Sequence, residues 1–277
     1  MKKILFPTDF SVVSRNAFIY ALKLAENLGA EIVTLHVYDL PTLSAGGMPN
    51  TIKEVYDSIE LENFENYKDE IPFLREIAQK NGLGHIPVSN ILKHGDFVWT
   101  LNHVAKDEKV DLIVMGTDGA SGLKEIFVGS MSGSVLVESN ANVLIVPQKG
   151  EYKEIKHIAF TTRFRDKDII ALKDVLEIAH AFKAKVHCLY VKTTKSDVSE
   201  ETIKQWKDNF KNENVKFQIV ENNNIKDSIL VFTELEKIDL LAMATYKRGF
   251  FQELFDQSLT QKLSYHVKVP ILAIKVK

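Results

Sequence analysis

The sequence predicts an α/β fold in duplicate: two tandem domains, each a five-stranded parallel sheet with helices on both faces. Three observations predict it. The chain repeats itself, strands and helices alternate within each repeat, and the strands read as short, nearly continuous apolar runs. Self-similarity is the first of these. KKILFPTDFS at Lys2 matches KHIAFTTRFR at Lys156, and AENLGAEIVTLHVY matches AHAFKAKVHCLYVK. VDLIVMGTDG matches IDLLAMATYK, and NVLIVPQK matches the closing PILAIKVK. Alternating strands and helices imply a parallel sheet covered on both faces. Runs such as LIVM and VLIV suit strands buried on both sides.

The elements follow in order. Lys3–Pro7 is the first strand. Ala17, Ala21, Leu24, Ala25 and Leu28 recur at helical spacing, and Gly29 stands where a helix C-terminal glycine belongs. Glu31–Val37 is the second strand. A polar helical region ends near Asn81 and Gly82, and Val88–Lys93 is the third strand. Phe97, Leu101, Val104 and Ala105 mark one face of the next helix. The strand Asp111–Met115, a helix from Ser130 and the strand Val143–Val146 close the repeat. Gln148–Glu154 (QKGEYKE) is a charged linker, so the domains are expected at 1–148 and 155–277.

Composition sets the outer limits. The 277 residues are 45% apolar and 26% charged, which is globular. The formal charge of −2 gives no global footprint for nucleic acid. The single cysteine, Cys188, excludes intrachain disulfides and reads as a buried small hydrophobe. MKKILFPTDF starts like a signal peptide, but Pro7 and Asp9 interrupt it after three apolar residues. No apolar run is long enough for a membrane span. A soluble, cytoplasmic protein is expected.

Glycine is concentrated in one place. Five of the thirteen glycines lie within Ile113–Val135. In an open parallel sheet, ligands bind beyond the carboxyl ends of the strands, where strand order reverses. With order 3-2-1-4-5, strands 1 and 4 flank that point. Asp9 follows strand 1 and Gly116 ends strand 4. Gly116 and Gly119 allow a ligand to approach where a Cβ would intrude. Gly129 and Ser130 lead a helix whose first amide hydrogens suit phosphate, and the hydroxyls of Ser130 and Ser132 add donors. Asp9 is suited to accept from ribose hydroxyls or an adenine amine, or to hold Mg²⁺ that bridges to phosphate.

These residues resemble the universal stress protein family. The FPTDFS start, the spacing Gly116-x2-Gly119-x9-Gly129-Ser130 and the VLIVP close carry the resemblance, which covers the whole chain as a tandem pair. The glycine spacing is similar to the ATP-binding signature of the family's nucleotide-binding branch. The resemblance implies an adenine nucleotide alpha hydrolase-like fold, with ATP, ADP or AMP as ligand. It implies that Pro7, Asp9 and Val37 hold the adenosine, and that Met115 and Gly116 pack on the nucleotide. Gly119, Gly129, Ser130, Met131 and Ser132 would surround the phosphates. Thr8 and Thr117 fall within the same set. Family members commonly pair through their last strands, so Val143–Val146 is expected to meet Ile271–Ile274 as an intrachain pseudo-dimer. A further homodimer is a second level of assembly.

The second repeat keeps the core and loses the chemistry. Asp9 becomes Arg163, Gly116 becomes Ala244, Gly119 becomes Lys247 and Gly129 becomes Gln257. Arg163, Lys247 and Arg248 are expected to converge. They either attract a small anion or pair with Glu253 and Asp256.

The first repeat carries about 26 extra residues between Val37 and Lys93. They comprise a Pro/Gly/Ser-rich loop and a long polar segment, expected to form a nucleotide lid, a peripheral helix or a dimer contact. Pro72 is expected to start or kink a helix. Trp99 and Trp206 are assigned to core or helix-face packing, and His36 and His94 to surface or hydrogen-bonding roles. No P-loop, G-x-G-x-x-G, H-E-x-x-H or G-x-S-x-G motif occurs. The leading expectation is therefore a nucleotide-binding stress-response module without dedicated hydrolytic machinery. A ligand-free interaction scaffold is the alternative.

Overall fold

The structure, a computed structural model, describes residues 2–40, 49–116, 130–147, 152–245 and 269–276. They group into two compact units, Met1–Met115 and Gly116–Lys277. The first unit carries β1 (Lys2–Pro7), α1 (Val12–Leu28), β2 (Ala30–Tyr38), α2 (Pro49–Lys80), β3 (Val88–His94), α3 (Phe97–Asp107) and β4 (Leu112–Gly116). Its strands run β3-β2-β1-β4, and every neighbouring pair is parallel. The chain proceeds outward from β1 to β3, then returns to place β4 on the other side of β1. Strand order reverses between β1 and β4.

Burial explains the strand sequences. Ile4, Leu5 and Phe6 of β1 are all buried, so both faces of the strand are apolar. The edge strand β3 mixes half-buried and exposed residues. Helix α1 begins with the Ser11 side chain accepting the Ser14 N–H. It ends at Gly29, whose φ of 62° is left-handed and whose N–H reaches Ala25 O. Its buried face, including Ala17, Phe18 and Ala21, packs on the sheet, with the Phe18 and Phe6 rings 5.0 Å apart.

Helix α2 rules out one of the two roles expected for Pro72, the helix start. Pro72 lies inside a 32-residue helix instead of starting one. Proline removes one helical N–H and crowds the carbonyl four residues earlier. Tyr67, Leu74 and Ala78 on either side are buried, and that packing holds the helix across the defect. Trp99, 62% exposed, takes the helix-face role of the two expected for it. It stacks on His103 one helical turn along α3, with ring centroids 3.7 Å apart.

The second unit carries α4 (Ser130–Glu138), β5 (Asn142–Val146), β6 (His157–Thr161), α5 (Asp166–Phe182), β7 (Lys185–Lys192), α6 (Glu200–Asn209), β8 (Val215–Glu221), α7 (Ile225–Leu235), β9 (Leu240–Thr245) and β10 (Ile271–Lys275). Its strands run β5-β10-β9-β6-β7-β8. From β8 to β10 this is the expected 3-2-1-4-5 order. At β5 the structure shows the pairing of Val143–Val146 with Ile271–Ile274 that the family resemblance implies. That strand pairs antiparallel with β10, Ile145 opposite Ile271, Leu144 opposite Leu272 and Val143 opposite Ala273. The pairing satisfies backbone groups that two free edges would leave open. Trp206 and Cys188 are buried, and burial pushes the Cys188 thiol pKa well up, which makes it unreactive. Among the described residues no helix is long and apolar enough to cross a membrane.

The repeats differ at the amino ends of their first strands. In the first unit the Lys3 ammonium lies 2.7 Å from Glu108 and 3.1 Å from Glu31. In the second unit the matching position is His157, whose Nδ1 lies 3.1 Å from Nε2 of His187. His187 is 3% exposed, and its Nδ1 lies 3.0 Å from Gln218 Oε1 and 3.5 Å from Glu236. Lys185 and Lys216 border the same cluster. Burial, the dominant cause, lowers the His187 pKa against the opposing Gln218 and Glu236. His187 therefore stays neutral to lower pH in the folded protein than in the unfolded chain. The unfolded chain takes up a proton below about pH 6.5. Stability from this site is present above that pH and lost as pH falls toward the depressed folded value. The Glu236 carboxylate, held below its ordinary pKa chiefly by the Gln218 hydrogen bond, stays ionised throughout this window. We expect the thermal midpoint to drop between pH 7.5 and pH 5.0, and to drop less in His187→Gln. An unchanged drop in that variant would assign the acid sensitivity elsewhere.

Candidate functional site

The turn after β1 is built by short-range hydrogen bonds. Thr8 extends the β1–β2 ladder, its N–H reaching Leu35 O at 2.9 Å. Its buried hydroxyl accepts the Phe10 N–H at 3.0 Å and pairs with the Ser14 hydroxyl at 2.7 Å. Asp9 Oδ1 accepts the Ser11 N–H at 3.0 Å, an Asx turn. Phe10 is left-handed, φ 59°, which is costly for a residue with a Cβ and is held by this network. The result is an exposed Asp9 at the carboxyl end of β1.

Other expected residues reach the same edge of the first unit's sheet. Pro7 is level with Leu35 of β2, and half-buried Val37 lies two residues beyond. Leu5 is level with Ile113 of β4, so Met115 lies as far along β4 as Pro7 does along β1. Met115 is buried, and Gly116 closes the strand. In the second unit, buried Ser132 near the start of α4 directs its hydroxyl to Gly116 O at 3.4 Å, while Met131 is exposed. Ser130 opens α4. Thr117, Gly119 and Gly129 lie outside the described residues, as do Lys247, Arg248, Glu253 and Asp256.

At this edge His36 takes the hydrogen-bonding role expected of it, whereas Arg15 and Tyr67 were not singled out in the sequence. His36 Nδ1 lies 2.7 Å from Thr8 O. A carbonyl only accepts, so Nδ1 carries the proton. Arg15 Nε donates to Phe10 O at 3.0 Å and Nη2 to Glu70 at 3.1 Å. Tyr67 of α2 packs against both His36 and Phe10. Its hydroxyl is buried near Thr34 without hydrogen-bond geometry to any group of the described residues, and burial raises its pKa. The nearby Thr34 hydroxyl donates to Asn90 at 2.8 Å. The interior beside the Asp9 turn is thus polar.

The corresponding region of the second unit is built differently. Phe164 repeats the left-handed conformation, φ 55°, and Thr162 Oγ1 accepts its N–H at 2.8 Å. In place of Ser14 stands Asp168, 1% exposed. Its Oδ2 accepts the Thr162 hydroxyl at 2.9 Å, the Arg163 N–H at 2.8 Å and the Arg165 N–H at 3.2 Å. Phe164 contacts Tyr190, Trp206 and Phe217, ring centroids 5.2, 5.1 and 6.4 Å away. By strand register Tyr190 matches His36 and Phe217 matches Asn90. Arg163 itself is exposed.

Among the described residues no three His, Cys, Asp or Glu side chains gather as a metal site. An ion at Asp9 would need a ligand's oxygens and water to complete its shell.

Comparison with known proteins agrees with this architecture. A universal stress protein of Methanocaldococcus jannaschii is 29% identical over 158 residues, covering 53% of this chain and 96% of that protein. YxiE, a universal stress protein of Bacillus subtilis, is 30% identical over 144 residues, covering 52% of this chain and 97% of that protein. Each of these relatives is thus about half the length of this chain. The crystal structure of a universal stress protein from Archaeoglobus fulgidus aligns over 99% of this chain and 98% of its own, with TM-score 0.75 and 22% identity, a likeness of fold. The Universal stress protein family pattern matches residues 1–147 and again 154–275. Two copies of that pattern cover nearly the whole sequence, and the chain belongs to the universal stress protein family.

Proposed function

We propose that the first repeat binds one adenine nucleotide at the β1/β4 edge and acts as a nucleotide-responsive regulatory module, and that the second repeat binds none. The observation that supports it most is the contrast between the two turns. In the first, a hydrogen-bonded turn presents an exposed carboxylate beside a glycine-ended strand. In the second, an arginine occupies the Asp9 position, a buried carboxylate consumes the turn's amides, and aromatic rings stand where the first repeat has His36 and Asn90. The reading assigns Pro7, Thr8, Asp9 and Val37 to the adenosine, Met115, Gly116 and Thr117 to the nucleotide's face, and Gly119, Gly129, Ser130, Met131 and Ser132 to the phosphates. Asp9 offers a single carboxylate, which suits Mg²⁺ held through water and phosphate. The repeat boundaries are proposed at 1–148 and 155–277, in line with the two matched segments.

Titration calorimetry with ATP, ADP and AMP tests this reading. Removing the Asp9 carboxylate deletes charged hydrogen bonds to the ribose, about 1.5–3 kcal/mol. Asp9→Ala is therefore expected to weaken binding about 10- to 100-fold without changing the stoichiometry. Equal affinity in Asp9→Ala would remove Asp9 from the site. The scaffold reading draws support from exposed Leu61 and Phe64 on α2, and absence of heat with any of the three nucleotides would favour it.

A further inference from the structure

Two carbonyls flank Asp9, and a side chain grips each one. His36 donates to Thr8 O at 2.7 Å, and Arg15 donates to Phe10 O at 3.0 Å. Both gripping side chains are in turn seated by α2. The Tyr67 ring stacks on His36, centroids 6.1 Å apart and planes 19° from parallel, and packs against Phe10 at 5.9 Å. Glu70 takes the other end of the Arg15 guanidinium at 3.1 Å, and that guanidinium lies 5.4 Å above the Phe73 ring. Tyr67, Glu70 and Phe73 follow at intervals of three residues, so one face of α2 holds both ends of the turn. Among the described residues the second repeat has no such device. By register, Tyr190 stands at the His36 position and Ile169 at the Arg15 position, and neither repeats the donor. Its turn is fixed locally by Asp168. The long helix and its two donors occur together in the repeat that keeps Asp9.

We propose that Arg15 and α2 position the Asp9 turn, so that nucleotide binding and the seating of α2 on the turn are energetically coupled. This rests on the nucleotide reading above. A turn already fixed in the binding conformation loses less freedom when the ligand arrives, which raises affinity. Linkage makes the effect reciprocal: whatever α2 contributes to nucleotide affinity, the nucleotide returns as tighter seating of α2. Arg15 is a positioning residue here, acting through the Phe10 carbonyl. Glu70 acts one step further out, through Arg15.

The test is amide hydrogen exchange on the full chain, with and without saturating ATP, alongside ATP titration. In the wild type, ATP should slow exchange across residues 67–78 of α2. Arg15→Ala should weaken ATP binding about 5- to 20-fold, within the usual range of coupling between sites. At ATP concentrations that still saturate it, the α2 protection should be gone. Glu70→Ala changes a half-exposed residue on α2 and should reproduce both effects. The double variant should bind no more weakly than Arg15→Ala alone, because the two residues act in series. ATP binding to the wild type with α2 exchange unchanged would overturn the coupling and leave the nucleotide reading standing. Additive losses in the double variant would also overturn it. No ATP binding by the wild type would remove the nucleotide reading, and the coupling with it.

Discussion

Gly116→Arg is expected to lower ATP affinity at least about 100-fold, a loss of about 2.7 kcal/mol or more, while the protein remains folded. Gly116 is the last residue of β4, beside buried Met115. Strand order reverses at this point, and ligands of open parallel sheets bind beyond such strand ends. A hydrogen in place of a side chain lets the ligand lie against the backbone. Arginine would put a long side chain into the space proposed for the nucleotide. Its charge does not rescue binding, because the loss is one of volume. Gly116→Ala should cost less, since it adds one carbon and matches Ala244, which the second repeat already buries at 5% exposure. Circular dichroism and the thermal midpoint should change little in either variant. Unaltered ATP affinity in Gly116→Arg would place the ligand elsewhere.

The second large effect is on stability. Asp168→Ala is expected to destabilise the protein by about 2–4 kcal/mol, since it strips three donors of a shared acceptor and leaves a buried hydroxyl unsatisfied. The orphaned donors are the Thr162 hydroxyl and the N–H groups of Arg163 and Arg165. Water reaches the exposed Arg163 and Arg165 backbone more easily than the buried Thr162 hydroxyl, which keeps the loss below the sum of three full penalties. Asp168→Asn retains one acceptor oxygen and should lose roughly half as much. Urea unfolding monitored by circular dichroism measures both. ATP affinity should be unchanged in either variant, because the account confines nucleotide to the first repeat. A loss within about 0.5 kcal/mol for Asp168→Ala would show that the carboxylate does not hold the turn.

What the sequence revealed and what it concealed divides by range. Gly29 announced the end of α1 through a local rule, and the apolar runs of β1 and β4 announced strands buried on both faces. Internal repetition revealed the order of elements along the chain, because each segment could be checked against its copy, whereas the spatial order of the strands had to be supposed. The antiparallel β5–β10 pair was expected from the family resemblance, since nothing local in NVLIV names its partner. Of the two readings of Pro72, the helix start fails because buried neighbours on α2 outweigh one missing hydrogen bond. The left-handed Phe10 and Phe164 carry no glycine to advertise them. Arg15 and Glu70 are 55 residues apart, and no motif links them. A signal did exist in the spacing of Tyr67, Glu70 and Phe73 along one helix face. The buried His187 was hidden within a run that reads as an ordinary strand, and only the fold sets it against His157 and Gln218.

The most direct test of the account is the stoichiometry of ATP binding to the intact chain by titration calorimetry. The account predicts one nucleotide per chain, with Gly116→Arg reducing that to none. Two equivalent sites per chain, or one site that survives Gly116→Arg, would contradict it.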